Sequence, residues 1–122
     1  MNRKLLLIDD DPRNIFALSA VLKAKGYLIQ SASNMLEAFA ILNNQVDIGV
    51  ILIDMMMPGI DGYEATQLLR ADPKFKEIPV IAVTAQAMKG DRERCLAAGV
   101  NEYVPKPVDI DVLLSHLNNY FK

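Results

Sequence analysis

The run Val50-Ile51-Leu52-Ile53-Asp54 decides the fold of this chain of 122 residues, because four apolar residues in a row end in one aspartate. A continuous apolar run of strand length is typical of a strand that is buried on both faces. Such strands belong to parallel sheets with helices on both sides. The run Leu5-Leu6-Leu7-Ile8 has the same character. We therefore predict a parallel sheet that contains both runs.

Helix-like and strand-like segments alternate along the rest of the chain. Further short strands are predicted over residues 27–30, 80–83 and 103–104, and a helix with apolar residues at helical spacing follows each strand. Five strands alternating with five helices predict one doubly wound α/β domain over residues 1–122.

The second predicted helix begins at Ser33 or Asn34, and Glu37 completes a capping box with Asn34. We expect its buried stripe to consist of Leu36, Phe39, Ala40 and Ile41.

The composition argues against several classes of protein. Hydrophobic residues make up 52% of the chain and charged residues 23%, which is ordinary for a globular domain. The net charge of −2 leaves no basic surplus for phosphates, so we expect no direct nucleic-acid binding. The single cysteine, Cys95, suits a reducing compartment, and no apolar run is long enough for membrane insertion. We therefore expect a cytoplasmic protein.

Charged and polar residues follow four of the five predicted strands. They are Asp9-Asp10-Asp11, Asp54, Thr84 and Lys106. In doubly wound sheets the site lies outside the carboxyl ends of the strands, where the strand order reverses. If the second strand lies at an edge, these four ends converge on one crevice.

This crevice has the composition of a metal site prepared for a phosphoryl group. Two unit charges 4 Å apart interact by about 4 kcal/mol at an effective dielectric of 20, and one lysine cannot neutralise three acids. A Mg²⁺ ion with oxygen ligands can do so. Lys106 and Thr84 are suited to hold phosphoryl oxygens. Asp54, which ends the most apolar strand, is the best candidate for a carboxylate nucleophile.

At these residues the chain resembles the receiver domains of two-component response regulators, from Leu5 to about Leu117. The matching pieces are Leu7-Ile8-Asp9-Asp10-Asp11-Pro12, Asp54-Met55-Met56-Met57-Pro58-Gly59-Ile60-Asp61-Gly62, Val83-Thr84-Ala85 and Tyr103-Val104-Pro105-Lys106-Pro107. Each piece is a weak signal alone, but all of them in this order and spacing make a strong one. The resemblance implies a flavodoxin-like receiver fold with strand order 2-1-3-4-5.

The resemblance also implies roles for individual residues. Asp54 would be the phosphoacceptor and would share Mg²⁺, or Mn²⁺ as a substitute, with a direct ligand, Asp10. Asp9 would act through a metal-bound water, and Met56 would offer its backbone carbonyl to the metal.

A second group of residues would bind the phosphoryl group and respond to it. By resemblance, Thr84, Lys106 and Ala85 would contact the phosphoryl group, and Tyr103 would be the switch aromatic. The Lys106–Pro107 peptide bond, with Pro107 as the cis-proline, is expected to be cis.

The implied function is signalling in a phosphorelay rather than enzymatic turnover. A histidine kinase or a histidine phosphotransfer protein would donate the phosphoryl group from a phosphohistidine. The surface of the fourth helix, fifth strand and fifth helix would then change for a downstream partner or a phosphorylation-dependent dimer. Finer resemblance points to receivers of hybrid sensor histidine kinases, and the chain is either a stand-alone receiver or part of a longer protein. Asn14 is a candidate contact for the phosphodonor protein.

Three other functions stay open at this level. A metal-dependent phosphohydrolase usually needs a second Asp two residues after its nucleophile, where this chain has Met56. A flavodoxin-like or nucleotide-binding module of similar architecture would need a Gly-rich phosphate loop after the first strand, where an acidic triplet stands instead. The third is a receiver that signals without phosphorylation, which the complete acid, threonine and lysine set argues against.

Overall fold

A computed structural model describes residues 3–45, 47–56, 62–84 and 90–121. Within these ranges five strands alternate with five helices, as predicted. In chain order the elements are β1 (Lys4–Ile8), α1 (Pro12–Ala24), β2 (Leu28–Ala32), α2 (Met35–Asn44), β3 (Ile48–Asp54), α3 (Gly62–Ala71), β4 (Val80–Thr84), α4 (Asp91–Ala98), β5 (Glu102–Pro105) and α5 (Ile110–Tyr120).

The five strands form one parallel sheet in the order β2-β1-β3-β4-β5, which confirms the predicted fold class. Every residue of β3 is buried, because this strand lies at the centre of the sheet and helices cover both faces. In the part of the chain that is described, no helix combines the length and the apolar character needed to cross a bilayer.

The sheet separates two hydrophobic cores. Successive side chains of a strand point to opposite faces, so Leu6 and Ile8 enter one core and Leu5 and Leu7 enter the other. The first core contains residues of α2, α3 and α4, and the second contains residues of α1 and α5. Because its side chains alternate between the two faces of the sheet, the apolar run of β1 contributes residues to both cores.

Polar side chains fix where the helices on the two faces begin. Asp11 is the N-cap of α1 and accepts a hydrogen bond from the backbone N–H of Arg13. Asn34 caps α2 in the same way and accepts from the N–H of Glu37. The Glu37 carboxylate accepts from the Ser33 hydroxyl, at 3.3 Å.

The predicted buried stripe of α2 was partly wrong. Leu36 is 84% exposed, and Ala40 is also exposed. Phe39 and Ile41 do pack against the core, as predicted, but they are only partly buried. The fully inward face consists of Met35, Ala38 and Leu42. These three lie at spacings of three and four residues, on a helical face turned away from Leu36.

Arg70, on α3, holds together the end of the sheet where β4 and β5 begin. Its Nε donates to the Gly99 carbonyl at 2.9 Å, and its Nη1 donates to the carbonyls of Lys76 and Ile78 at 3.0 and 2.8 Å. Its Nη2 donates to Oδ1 of Asn101 at 2.8 Å. The guanidinium therefore satisfies polar groups of two separate loops at once.

Candidate functional site

The strand register places two aspartates side by side at the carboxyl end of the sheet. Ile8 of β1 pairs with Ile53 of β3, and the next residues along the two strands are Asp9 and Asp54. One ligand oxygen each from Asp9, Asp10 and Asp54 lie within 4.8 Å of one another. The predicted convergence of the acidic strand ends is therefore present in the structure.

Asp54 is the last residue of the fully buried strand β3, and it is only 6% exposed. Its Oδ1 accepts a hydrogen bond of 2.9 Å from the backbone N–H of Met56. Its Oδ2 lies 3.3 Å from Nζ of Lys106. The Asp54 carboxylate is thus held on a rigid strand with one oxygen bound to its own loop and the other beside a cation.

Asp9 is buried even more deeply, at 3% exposure. Its Oδ1 accepts from the backbone N–H of Asp11 at 2.9 Å, and its Oδ2 lies 3.4 Å from Nδ2 of Asn14. Burial is the main cause that raises the pKa of the Asp9 carboxyl above its ordinary value, and the charge of Asp54 raises it further. The hydrogen bonds from Asp11 and Asn14 and the charge of Lys106 act in the opposite direction.

The other two acids of the triplet face water to different degrees and do different things. Asp10 is exposed, yet one of its oxygens belongs to the cluster of three carboxylates. Asp11 caps α1 and pairs with Arg13 at 3.4 Å. The backbone N–H of Arg13 is the largest of the causes that lower the pKa of Asp11.

Thr84 and Lys106 reach the same end of the sheet from β4 and β5. Thr84 ends β4, is 1% exposed, and pairs with Pro105 of β5. The Thr84 carbonyl accepts from the backbone N–H of Lys106 at 2.8 Å. The Lys106 ammonium lies 3.3 Å from Asp54 and 3.8 Å from Asp9. The Lys106–Pro107 peptide bond is cis, in agreement with the prediction.

Tyr103 lies in β5 opposite Ala82 of β4, and it packs partly buried against the core beneath α2, α3 and α4. Burial raises the pKa of its hydroxyl. Ala85, the remaining residue of the predicted set, lies outside the described residues, as do Met57–Asp61 of the predicted loop motif.

The donor set fits a hard divalent cation. Three carboxylates converge, and in the described ranges the cation within 4.0 Å of this cluster is Lys106, which lies 3.3 Å from Asp54 and 3.8 Å from Asp9. One ammonium leaves negative charge uncompensated, and carboxylate oxygens are the ligands that Mg²⁺ prefers. Among the described residues the cluster consists of carboxylates alone, and this donor set suits a hard cation rather than a soft metal.

A family model described as "Response regulator receiver domain" matches residues 5–118 of the chain. The chain belongs to the response regulator receiver family. Members of this family are signalling phosphoacceptors that bind Mg²⁺ at an acidic pocket and receive the phosphoryl group from histidine kinases or phosphotransfer proteins.

Individual relatives of this receiver domain support the assignment. This chain is 35% identical to Protein PilH of Pseudomonas aeruginosa over 115 residues, which are 94% of each of the two proteins. It is 36% identical to Response regulator PleD of Caulobacter vibrioides over 114 residues, or 93% of this chain, but spans only 25% of the length of PleD.

Solved structures of receiver domains are similar to this chain in both fold and sequence. The receiver domain of the sensor histidine kinase PA1611 from Pseudomonas aeruginosa matches with a TM-score of 0.87 and 35% identity, over 98% of each chain. That protein was crystallised with a magnesium ion coordinated in its active-site cleft.

The carboxylates of the site were predicted from the sequence, but the contact of Asn14 with Asp9 was not. Asn14 as a contact of the phosphodonor protein stays a prediction, and the structure shows a contact that was not predicted, from its side-chain amide to Oδ2 of Asp9 at 3.4 Å. The signal was available, because a side chain five residues after Asp9 and on the first turns of α1 can fold back on the strand end. Which way it points depends on the angle between β1 and α1, which the sequence pattern does not contain.

Proposed function

We propose that this receiver domain accepts a phosphoryl group on Asp54 from the phosphohistidine of a histidine kinase or of a histidine phosphotransfer protein. The observation that carries the proposal is the position of the Asp54 carboxylate. It is 6% exposed, lies 3.3 Å from the Lys106 ammonium, and shares an oxygen cluster with Asp9 and Asp10. A nucleophile that is held this rigidly needs little reorganisation to reach a phosphorus atom in line.

The transfer forms one bond and breaks one. A carboxylate oxygen of Asp54 attacks phosphorus, the phosphorus–nitrogen bond of the donor breaks, and its electron pair returns to the imidazole ring. The product on this chain is an acyl phosphate at Asp54. The ammonium of Lys106 then meets a phosphoryl oxygen in place of the free carboxylate.

The residues at the strand ends divide the remaining tasks. Asp10, Asp54 and the Met56 carbonyl would hold Mg²⁺, or Mn²⁺ in its place, with Asp9 acting through a bound water. When bound, the cation offsets the charge of the carboxylates and of the transferring oxygens. Thr84 would contact the phosphoryl group from the end of β4, together with Lys106, which directly follows β5. Ala85 would be a further contact, as the family resemblance implies.

The signal would leave through the surface of α4, β5 and α5. Attraction of the Thr84 hydroxyl toward the acyl phosphate would vacate space into which Tyr103 rotates. Phosphorylation shifts this equilibrium only by its different interaction with the two states, so some unphosphorylated molecules already occupy the active one. The downstream partner, or a second copy of the domain, would read this surface.

The phosphoryl group should be long-lived. The side chain of Met56 is 49% exposed beside the acceptor, and an apolar thioether cannot orient a water molecule for attack on phosphorus. We expect a half-life well above a few seconds, which a time course of the phosphorylated protein after removal of the donor would measure.

The decisive experiment is incubation with Mg²⁺ and a small acyl phosphate, followed by mass spectrometry of the intact chain. The wild type should gain one phosphoryl group, and Asp54→Asn should gain none. Asp111→Asn is the matched control, because Asp111 is an exposed aspartate of α5 and the same substitution there should leave phosphorylation unchanged. Equal phosphorylation of the wild type and Asp54→Asn would refute the assignment.

A further inference from the structure

Both oxygens of the Asp9 carboxylate are held by the beginning of α1. The backbone N–H of Asp11 donates to Oδ1 at 2.9 Å, and the side-chain amide of Asn14 donates to Oδ2 at 3.4 Å. Asp9 is 3% exposed, so water cannot readily replace either donor. Loss of one donor would leave this carboxylate with a single fixed contact from α1.

Oδ2 of Asp9 interacts only weakly with Lys106. The Lys106 ammonium lies 3.8 Å from Oδ2 of Asp9 but 3.3 Å from Oδ2 of Asp54. One ammonium is thus shared by two buried carboxylates and lies nearer to Asp54. If Lys106 moves to a phosphoryl oxygen, Asn14 is the described side chain that still donates to Asp9.

We propose that Asn14 is a positioning residue for the cation site, which rests on the Mg²⁺ site of the proposed function. Its amide keeps the Asp9 carboxylate turned toward Asp10 and Asp54 while Lys106 serves Asp54. The amide is neutral, so it supplies a donor without a positive charge that would compete with the metal. Partners of this kind, which orient the groups around a metal, commonly matter for metal affinity although they do not touch the ion.

Asn14 does not have an evident role in building the fold. It is only partly buried, and Asp11 rather than Asn14 caps α1. It lines a cleft of about 220 Å³ together with Ala17, Lys106 and Val108, so a shorter side chain there meets open space rather than a packed core. A substitution at Asn14 should therefore change the metal site without unfolding the domain.

The test compares Mg²⁺ binding by wild type, Asn14→Ala, Asn14→Gln and Asn119→Ala, measured by calorimetry and by amide shifts in nuclear magnetic resonance. We expect the dissociation constant for Mg²⁺ to rise about tenfold in Asn14→Ala. Asn14→Gln keeps the amide on a longer side chain, so its dissociation constant for Mg²⁺ should lie between those of the wild type and Asn14→Ala. Asn119→Ala, the same substitution on an exposed turn of α5, should equal the wild type.

Two further readouts separate positioning from loss of structure. In metal chelator, the melting temperature of Asn14→Ala should stay within about 2 °C of the wild type. The amide proton of Asp11 should shift in Asn14→Ala even without metal, because the carboxylate that accepts its hydrogen bond is released on one side. At saturating Mg²⁺, Asn14→Ala should still be phosphorylated on Asp54.

The outcomes distinguish this inference from the proposed function. If the wild type binds Mg²⁺ and is phosphorylated while Asn14→Ala binds Mg²⁺ within twofold of it, the role of Asn14 is refuted and the proposed function stands. If the wild type neither binds Mg²⁺ nor gains a phosphoryl group, both are refuted. A melting temperature of Asn14→Ala far below that of the wild type would show a structural role instead.

Discussion

Charged side chains lie at both ends of the sheet, but their surroundings differ. At the end where β4 and β5 begin, the Arg70 guanidinium donates to four oxygen acceptors, three of them backbone carbonyls. At the other end, Asp9 and Asp54 are both buried, and the ammonium of Lys106 is divided between them. The first arrangement satisfies its polar groups and stabilises the fold. The second arrangement leaves an excess of negative charge, which favours the binding of a cation.

Mutations at the two ends of the sheet should therefore change the free energy of unfolding in opposite directions. Removing a donor from a satisfied network leaves carbonyls without partners and lowers stability. Removing a charge from a repulsive cluster lowers the repulsion and raises stability. The charge cluster of such a binding site therefore lowers the stability of the folded protein, and favourable interactions elsewhere in the fold offset this loss.

The largest effect is expected for Arg70→Ala. Several acceptors in two loops lose their donor, so the free energy of unfolding should fall by about 3 kcal/mol, with a melting temperature about 10 °C lower. Thermal and urea unfolding in metal chelator would measure it. Arg92→Ala, at an exposed position of α4, is the matched control and should change the free energy by less than about 0.5 kcal/mol. Equal losses in both variants would contradict a specific role of the Arg70 contacts.

A smaller change of opposite sign is expected for Asp9→Asn in metal chelator. The amide keeps an acceptor for the Asp11 N–H but removes the charge that Asp54 repels, so the free energy of unfolding should rise by about 1–2 kcal/mol at pH 7. Urea unfolding of both proteins would measure the difference. A less stable Asp9→Asn protein at pH 7 would contradict the view that this end of the sheet carries unfavourable charge.

The stability difference between Asp9→Asn and wild type should also depend on pH. The pKa of Asp9 is raised in the folded state, so the folded protein binds the proton more tightly than the unfolded chain does. This group therefore makes the wild type less stable as pH rises from the ordinary aspartate range through the raised pKa. The advantage of Asp9→Asn should accordingly shrink as pH falls toward about 4.

The smallest effect expected is stabilisation of the wild type by Mg²⁺. At a concentration five times its dissociation constant, an ion that binds only the folded state raises the free energy of unfolding by about 1 kcal/mol. Differential scanning fluorimetry with Mg²⁺ and with chelator would measure it. Arg70→Ala should keep this increment, because Arg70 lies at the opposite end of the sheet, whereas Asp54→Asn should lose most of it.

Much of this molecule follows from local patterns. The apolar run from Val50 to Ile53 became the centre of a parallel sheet, and the single aspartate after it became a buried carboxylate. Asp11 followed by Pro12 forms the start of α1, with Asp11 as its N-cap, and both residues are of the types that favour these positions. These features depend on residues close in the chain, whose conformational preferences and burial act within one strand or one helical turn.

Other features depend on how the elements are oriented, and the sequence predicted them poorly. Leu36 looked like a core residue, but the rotation of α2 on the sheet selected Met35, Ala38 and Leu42 instead. The four acceptors of Arg70 come from segments that have no sequence pattern in common with α3. The contact between the Asn14 amide and Asp9 was not predicted at all.

By itself, the sequence determined the order of the strands and helices, the apolar layers, and the residues that end each strand. It could do so because period, charge and turn chemistry are written in neighbouring residues. Only the tertiary structure decided which oxygen of Asp9 meets Asn14 and how closely Lys106 approaches Asp54, at 3.3 Å. Those distances arise from strand register and helix rotation, which the packing of the whole core sets together.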